Sequence, residues 1–270
     1  SRPPFEAILE TAPAAGLSVQ AWVTCFNVAY APPARLAAWR LAGRLMQTPA
    51  GEQSWLTPTH PDNRAWLLAA IGDLAGRFPV DGIHLDYIRY PDQLLDLSPS
   101  ARTGFEASGN GPVAQWPAEV LPGGARHDAY RRWLMELLDQ FVQSVRDEIR
   151  RQRPGIRLSA AVYPAYPYCR DGVLQDWQRW LENGWVDEIC PMSYTDKPEE
   201  FAGWLDTYRT LPGWGSRIFP GIGVFSDQSP LDPEGVLTQI RLIRERGGAG
   251  PVFFLANRTF LRDILPLLHL

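Results

Sequence analysis

A short apolar segment alternates with an amphipathic one along this chain, and that alternation most restricts what it can fold into. Segments 17–24 (LSVQAWVT), 80–87, 156–163 (IRLSAAVY), 186–192 (VDEICPM), 217–224 and 251–255 read as strands. Segments 4–15, 33–45, 61–78, 127–153, 174–183, 198–210, 233–246 and 259–267 read as helices. In the helix over 127–153, Leu134, Leu137, Leu138, Phe141, Val142 and Val145 share one face. Segment 91–124 is rich in Pro and Gly and reads as a long loop. Strands alternating with helices make βαβ units around a parallel sheet. The strands are apolar on both faces, as a sheet covered by helices requires. No glycine-rich phosphate loop follows the first strand, and Gly221-Ile222-Gly223 lacks the spacing of one, so a doubly wound nucleotide-binding sheet is disfavoured. The expected fold is α/β, a (β/α)8 TIM-type barrel forming one domain over 1–270. Six strands fall short of a closed barrel, so the first two strands are expected upstream of residue 1. An open or unusually closed barrel is the alternative.

Composition removes several function classes. The 270 residues carry 26 Lys+Arg against 30 Asp+Glu, a net charge of −4, with 45% hydrophobic residues. That balance suits a globular chain with a large core. No basic stripe offers a nucleic-acid surface, and no apolar run approaches the roughly 18 residues of a membrane span. Cys25, Cys169 and Cys190 form neither a disulfide framework nor a CxxC pair. His60, His84, His127 and His269 have no metal-ligand spacing. Neither metal nor cofactor is expected. Lys197 is the only lysine, on a helix start, and makes a poor Schiff-base candidate. The 11 Trp serve core packing, sugar stacking, or both.

In a barrel of this kind, chemistry gathers at the C-terminal ends of the strands. Asp86 ends the strand DGIHLD, and by period-two alternation Gly82, His84 and Asp86 share a face. An inward carboxylate at a strand end is costly unless it is paired or functional. The structural alternative is an Asp86–Arg89 pair or a cap. His84 lies one layer deeper, as a satisfied core histidine or a support for Asp86. Asp81, Asp187 and Glu188 begin their strands at the opposite mouth, where position reads as stability. The remaining strand ends bring Trp22 and Asn27; Tyr163, with Tyr166 and Tyr168; Ser193 to Asp196, including Tyr194; Phe225 to Asp227; and Asn257-Arg258. Aromatic faces stack on sugar C–H faces, and amides and carboxylates bind hydroxyls. Glycoside hydrolysis needs two carboxylates. Asp86 is one, and Asp196 or Asp227 supplies the other, with Asp171 a poorer candidate. Exposed turn aspartates are the alternative for all three.

The stretch DGIHLDYIRYP, residues 81–91, resembles the signature of the bacterial glycosyl-hydrolase-like family ten, barrels of the glycoside hydrolase type. AAGLSVQAWVTCF (14–26), WVDEICPMSY (185–194) and GPVFF (250–254) resemble that family's third, sixth and eighth strand regions in the right order. The resemblance implies that two strands precede residue 1. A more distant similarity is to family 18 glycoside hydrolases, whose fourth strand reads DGxDxDxE. Asp81, Gly82 and Asp86 fit that pattern. His84 replaces its middle Asp and Ile88 its catalytic Glu, which puts the substrate-assisted mechanism in doubt.

The function these readings imply is a glycoside hydrolase acting on a bacterial polysaccharide, a β-linked amino-sugar or cell-wall glycan, by carboxylate acid/base catalysis. Asp86, Asp227 and Asp196 are the catalytic candidates. Trp22, Asn27, His84, Arg89, Tyr163, Tyr194 and Asn257 are the substrate-binding candidates. A non-catalytic glycan-binding barrel is the alternative. A metal-dependent deacetylase is weaker, because clustered His ligands are lacking. Such a substrate implies a secreted, periplasmic or cell-envelope location.

Overall fold

The computed structural model describes residues 4–91, 94–226 and 229–268. In chain order the elements are α1 (Pro4–Thr11), β1 (Gln20–Thr24), α2 (Pro33–Leu41), β2 (Leu45–Thr48), β3 (Gly51–Leu56), α3 (Pro61–Arg77), β4 (Gly82–Asp86), α4 (Pro99–Phe105), α5 (His127–Gln152), β5 (Arg157–Val162), α6 (Tyr168–Gly172), α7 (Trp177–Glu182), β6 (Glu188–Pro191), α8 (Pro198–Tyr208), β7 (Gly221–Gly223), β8 (Phe225–Ser226), β9 (Ser229–Pro230), α9 (Pro233–Glu245) and β10 (Val252–Phe254). All six expected strands form, each shortened at its ends, as β1, β4, β5, β6, β7 and β10. The chain divides into two compact units. One is built on the chain as far as Leu158 together with Arg170–Asp176, the other on Ser159–Cys169 and the chain from Trp177 onward.

In the first unit β1 and β4 pair in parallel, from Gln20 opposite Gly82 to Thr24 opposite Asp86. Helices α3 and α5 pack on each other. Leu67, Ile71 and Ala75 of α3 are buried, as are Leu134, Leu138, Phe141, Val142, Val145 and Ile149 of α5. That is the 3.6-residue stripe expected from sequence. Arg153, just past α5, donates to the carbonyls of Val80 (2.6 Å), Ala75 (2.5 Å) and Phe78. Asp81 accepts the Val19 N–H at 2.6 Å. Both contacts lie at the N-terminal end of the β1–β4 pair and are structural, as position there predicts.

Two helix expectations and one loop expectation need correction. The helix expected over 33–45 ends at Leu41, and the hairpin β2–β3 follows it. Leu45 and Met46 are buried in that hairpin, so their hydrophobicity belongs to a strand. The segment read as loop over 91–124 holds α4, capped by Ser98, whose hydroxyl accepts from Ala101 N at 3.3 Å. The helix expected over 174–183 starts only at Trp177. Leu174 sits at φ +56°, which no α-helix tolerates.

In the second unit β5 pairs in parallel with β6 from Ser159 opposite Glu188 to Val162 opposite Pro191. β7 pairs in parallel with β10. Trp177, Trp180, Phe201, Leu205 and Tyr208 are buried here. Arg217 donates to the carbonyls of Asp187, Leu181 and Val186. Helix α9 opens on Asp232, whose carboxylate accepts from Gly235 N at 2.8 Å, with Pro233 next.

Candidate active site

Asp86 ends β4, and backbone pairing continues past it. Cys25 N donates to Asp86 O at 2.8 Å and Phe26 N to Tyr87 O at 3.4 Å. The chain then turns onto the hairpin. Leu56 N donates to Phe26 O (2.8 Å), Val28 N to Ser54 O (3.0 Å), and Asn27 forms an antiparallel bridge with Trp55. The hairpin therefore continues from the C-terminal end of β1, beside the end of β4.

The Asp86 side chain is 8% exposed. Its Oδ2 accepts the Trp22 indole N–H at 3.1 Å and its Oδ1 the Tyr87 N–H at 2.7 Å. Burial raises its pKa above the ordinary carboxylate value; the two N–H donors and the Arg89 charge offset part of that rise. Trp22, opposite His84 in the register, is 60% exposed and offers an indole face beside the carboxylate. His84 is half-buried, and burial lowers its pKa to about 4. It is neutral near pH 7.

Tyr87 adopts φ +51° directly after Asp86. Its ring meets Trp55 edge-on with centroids 5.6 Å apart. The Arg89 guanidinium lies 5.3 Å from the Trp55 ring and 5.2 Å from the Tyr87 ring. Arg89 also donates to Tyr90 O at 3.2 Å. Below this corner, the chain after β4 is locked down by Asp96, which is fully buried. Its Oδ2 accepts from Thr57 and, at 2.9 Å, from Thr59; its Oδ1 accepts the Ser98 N–H at 2.9 Å. Leu97 N donates to Gln47 O at 2.6 Å. The hairpin and the post-β4 loop are thus one hydrogen-bonded assembly.

The structure brings Trp22, Asn27, His84, Asp86 and Arg89 together in the first unit. The Asn27 amide oxygen accepts from Ala29 N at 3.0 Å and shapes the turn leaving β1. The other candidates belong to the second unit. Tyr194 stacks on Phe254 (centroids 5.5 Å apart, 21°) and covers the β7 glycines. A Cβ at Gly223 would lie 2.8 Å from its ring. Tyr163 lies 6.3 Å from Tyr168. The Asn257 amide oxygen accepts from Phe260 N at 2.9 Å, a capping contact. Asp196 is exposed after β6. Asp227 lies outside the described residues. Sequence reasoning missed Trp55, Thr57, Thr59 and Asp96. Trp55 was hidden because the hairpin went unread, and Asp96 because its partners lie about forty positions away. No described helix is long and apolar enough to cross a membrane. Among the described residues no group of three or more His, Cys, Asp or Glu could hold a metal ion.

Parallel strands joined through helices, with a buried carboxylate at a strand end, place the chain in the (β/α)-barrel fold class. The glycoside hydrolase domain of PgaB (BpsB) from Bordetella bronchiseptica superposes with a TM-score of 0.72 at 18% identity, over 92% of this chain and 72% of that one. A β-galactosidase from Marinomonas ef1 gives 0.67 at 14% identity, over 93% and 46%. The chain belongs to the family described as Glycosyl hydrolase-like 10, whose profile matches residues 2–215. The glycosyl hydrolase DigH of Escherichia coli K12 is 22% identical over 274 aligned positions, covering 87% of this chain and 57% of that protein. The chain thus spans little more than half the length of that curated relative.

Proposed function

We propose that this chain is a glycoside hydrolase that cleaves a β-linked amino-sugar glycan of the bacterial surface, with Asp86 as its acid/base carboxylate. The observation that carries the reading is the state of Asp86. It is buried at the end of β4, raised in pKa, and aimed by the Trp22 and Tyr87 N–H groups. A carboxyl whose pKa burial has raised keeps its proton to higher pH than a free one, and that proton can go to a glycosidic oxygen. Trp22 offers the exposed indole on which a sugar ring stacks. By their sequence positions after strands, Asp227 and Asp196 remain the candidates for a second carboxylate, and Tyr163, Tyr194 and Asn257 the further candidates for sugar contacts. A polymer of that kind places the enzyme in the periplasm, the envelope or the medium. PgaB and DigH bear glycoside or glycosyl hydrolase names, which supports the reaction class.

The test is release of reducing ends from bacterial wall and amino-sugar polymers by the protein and by Asp86→Asn. Cleavage by the first and a loss of about a thousandfold or more in the second is expected. Full activity in Asp86→Asn overturns the assignment. A second reading, a glycan-binding barrel without hydrolysis, draws on one observation: among the described residues, the charge acting on the Asp86 carboxyl is that of Arg89. Binding without product release marks that outcome.

A further inference from the structure

Residues 28–43, VAYAPPARLAAWRLAG, contain no Asp, Glu, Ser, Thr, Asn, Gln or Lys, and Arg35 and Arg40 are their only charged side chains. Helix α2 lies within this stretch, and Trp39 is the residue it buries. Ala34, Ala37, Ala38 and Leu41 are spaced i, i+3, i+4 and i+7, the spacing of a core-facing stripe, yet all four are exposed. Leu41 is 90% exposed, and Tyr30, in the turn before the helix, 99%. Trp66 of α3, itself exposed, meets the buried Trp39 edge-on at 5.8 Å. The stretch is pinned at both ends. Val28 N donates to Ser54 O at 3.0 Å, and Arg44, just past the helix, donates through Nε to Asn63 Oδ1 at 2.6 Å. A contiguous apolar surface held in place and left in water marks a face that something covers.

We infer that the exposed face of α2 rests on an anionic phospholipid surface, with Tyr30 and Leu41, at the two ends of the helix, entering the headgroup region. Charge selects that occupant. The whole chain stands at −4, but between Glu10 and Glu52 it carries three arginines and no acidic residue. Arg40 is held by Glu52 at 2.7 Å and Arg44 by Asn63, so neither is free for lipid. Arg35 is exposed, lies 5.8 Å from the Trp39 ring, and is paired with no carboxylate among the described residues. Its guanidinium is the group left to meet a lipid phosphate. An exposed leucine and tyrosine beside an unneutralised arginine is the composition of helices that lie in a membrane interface, where the apolar parts enter and the cation stays among the headgroups. A second copy fits less well. It would set one positive stretch against another, and a nine-residue helix is about 13 Å long, too short to cover the roughly 800 Å² per partner of a stable complex. The contact with lipid is weak and reversible, as one short helix dictates.

Cosedimentation of the full chain with vesicles of phosphatidylglycerol and phosphatidylcholine in equal parts, and with vesicles of phosphatidylcholine alone, tests it. Partitioning is expected to be roughly fivefold or more stronger on the anionic vesicles and to weaken as salt rises from about 0.1 M to about 0.5 M. Arg35→Gln is expected to lose about fivefold, the scale of one arginine near an anionic surface. Leu41→Glu puts an anion where an apolar side chain enters and is expected to lose roughly tenfold or more. Both side chains are exposed, so Tm should stay within about 2 °C, and Tyr30→Ser gives a further reading should Leu41→Glu unfold. Equal partitioning on both vesicles, no binding to either, or anionic binding untouched by the three substitutions overturns the inference. Sedimentation velocity without lipid reads the competing occupant: a dimer that Leu41→Glu dissociates gives the face to a second copy and overturns the lipid contact. Glycan cleavage at Asp86 is measured separately, so either can fail while the other stands.

Discussion

The Trp22 indole N–H points at the Asp86 carboxylate across adjacent parallel strands, 3.1 Å from Oδ2, and it is the side-chain donor that holds this buried acid. That donor favours the charged form, so deleting it raises the Asp86 pKa further. In Trp22→Phe the pH–rate limb governed by Asp86 therefore moves to higher pH. If Asp86 acts as general acid, the limb that moves is the descending one, because the active protonated form is lost as pH rises through its pKa. If it acts as base, the ascending limb moves. A pH profile of kcat/KM on a cleaved glycan decides the role, and an unmoved profile removes Asp86 from the rate-determining protonation.

Asp86 should cost stability where it serves function. Its folded pKa lies above the unfolded value, so the folded state binds the proton more tightly and stability falls as pH rises through the window between them. Above that window the full penalty is present. Asp86→Asn is expected to melt no lower than the parent at pH 7, and its Tm should lose that part of the pH dependence. A large drop in Tm would show instead that the charged carboxylate stabilises the fold.

His84 contributes with the opposite sign. Its folded pKa of about 4 lies below the unfolded 6.5, so its neutral form is favoured in the folded state. Stability from this group is full above 6.5 and is lost as pH falls toward 4, amounting to about 3 kcal/mol there. NMR titration should show no His84 protonation between pH 5 and 8. His84→Gln should flatten the acid loss of stability between pH 6.5 and 4, measured by denaturant unfolding.

Asp96 is predicted to be a structural lock. Asp96→Ala removes the acceptor shared by the Thr57 and Thr59 hydroxyls and the Ser98 N–H; the hydroxyls can still pair with each other and with Ser100, but the Ser98 N–H loses its partner and a cavity is left in a buried space. Such a loss costs about 2–4 kcal/mol, or roughly 5–12 °C in Tm. Thermal melting followed by circular dichroism checks this, and a Tm change under about 2 °C would mean that the loop is held elsewhere.

Gly223 is predicted to hold its place for packing. A Cβ there would lie 2.4 Å from Ser229 Oγ and 2.8 Å from the Tyr194 ring. Gly223→Ala should displace Tyr194 from its stack on Phe254 and cost roughly 1–3 kcal/mol. Near-ultraviolet circular dichroism and a melt report both effects.

The alternation of apolar strand and amphipathic helix determined the fold class by itself, because the 2.0 and 3.6 periodicities are written locally. For the same reason β4 and the position of Asp86 at its end were legible, and with them Trp22 on the neighbouring strand. Tertiary structure decided what the rim around Asp86 is made of. The β2–β3 hairpin reads as a continuation of α2 until its buried Leu45 and Met46 show which partner they face. Asp96 looks like any loop aspartate until Thr57 and Thr59 arrive from far along the chain. Asn257 and Asn27 sit at strand ends as expected, yet their amide oxygens hold nearby backbone N–H groups. Periodicity fixes the side from which a residue looks out. Burial, hydrogen-bond partners and pKa depend on atoms that folding delivers from distant positions.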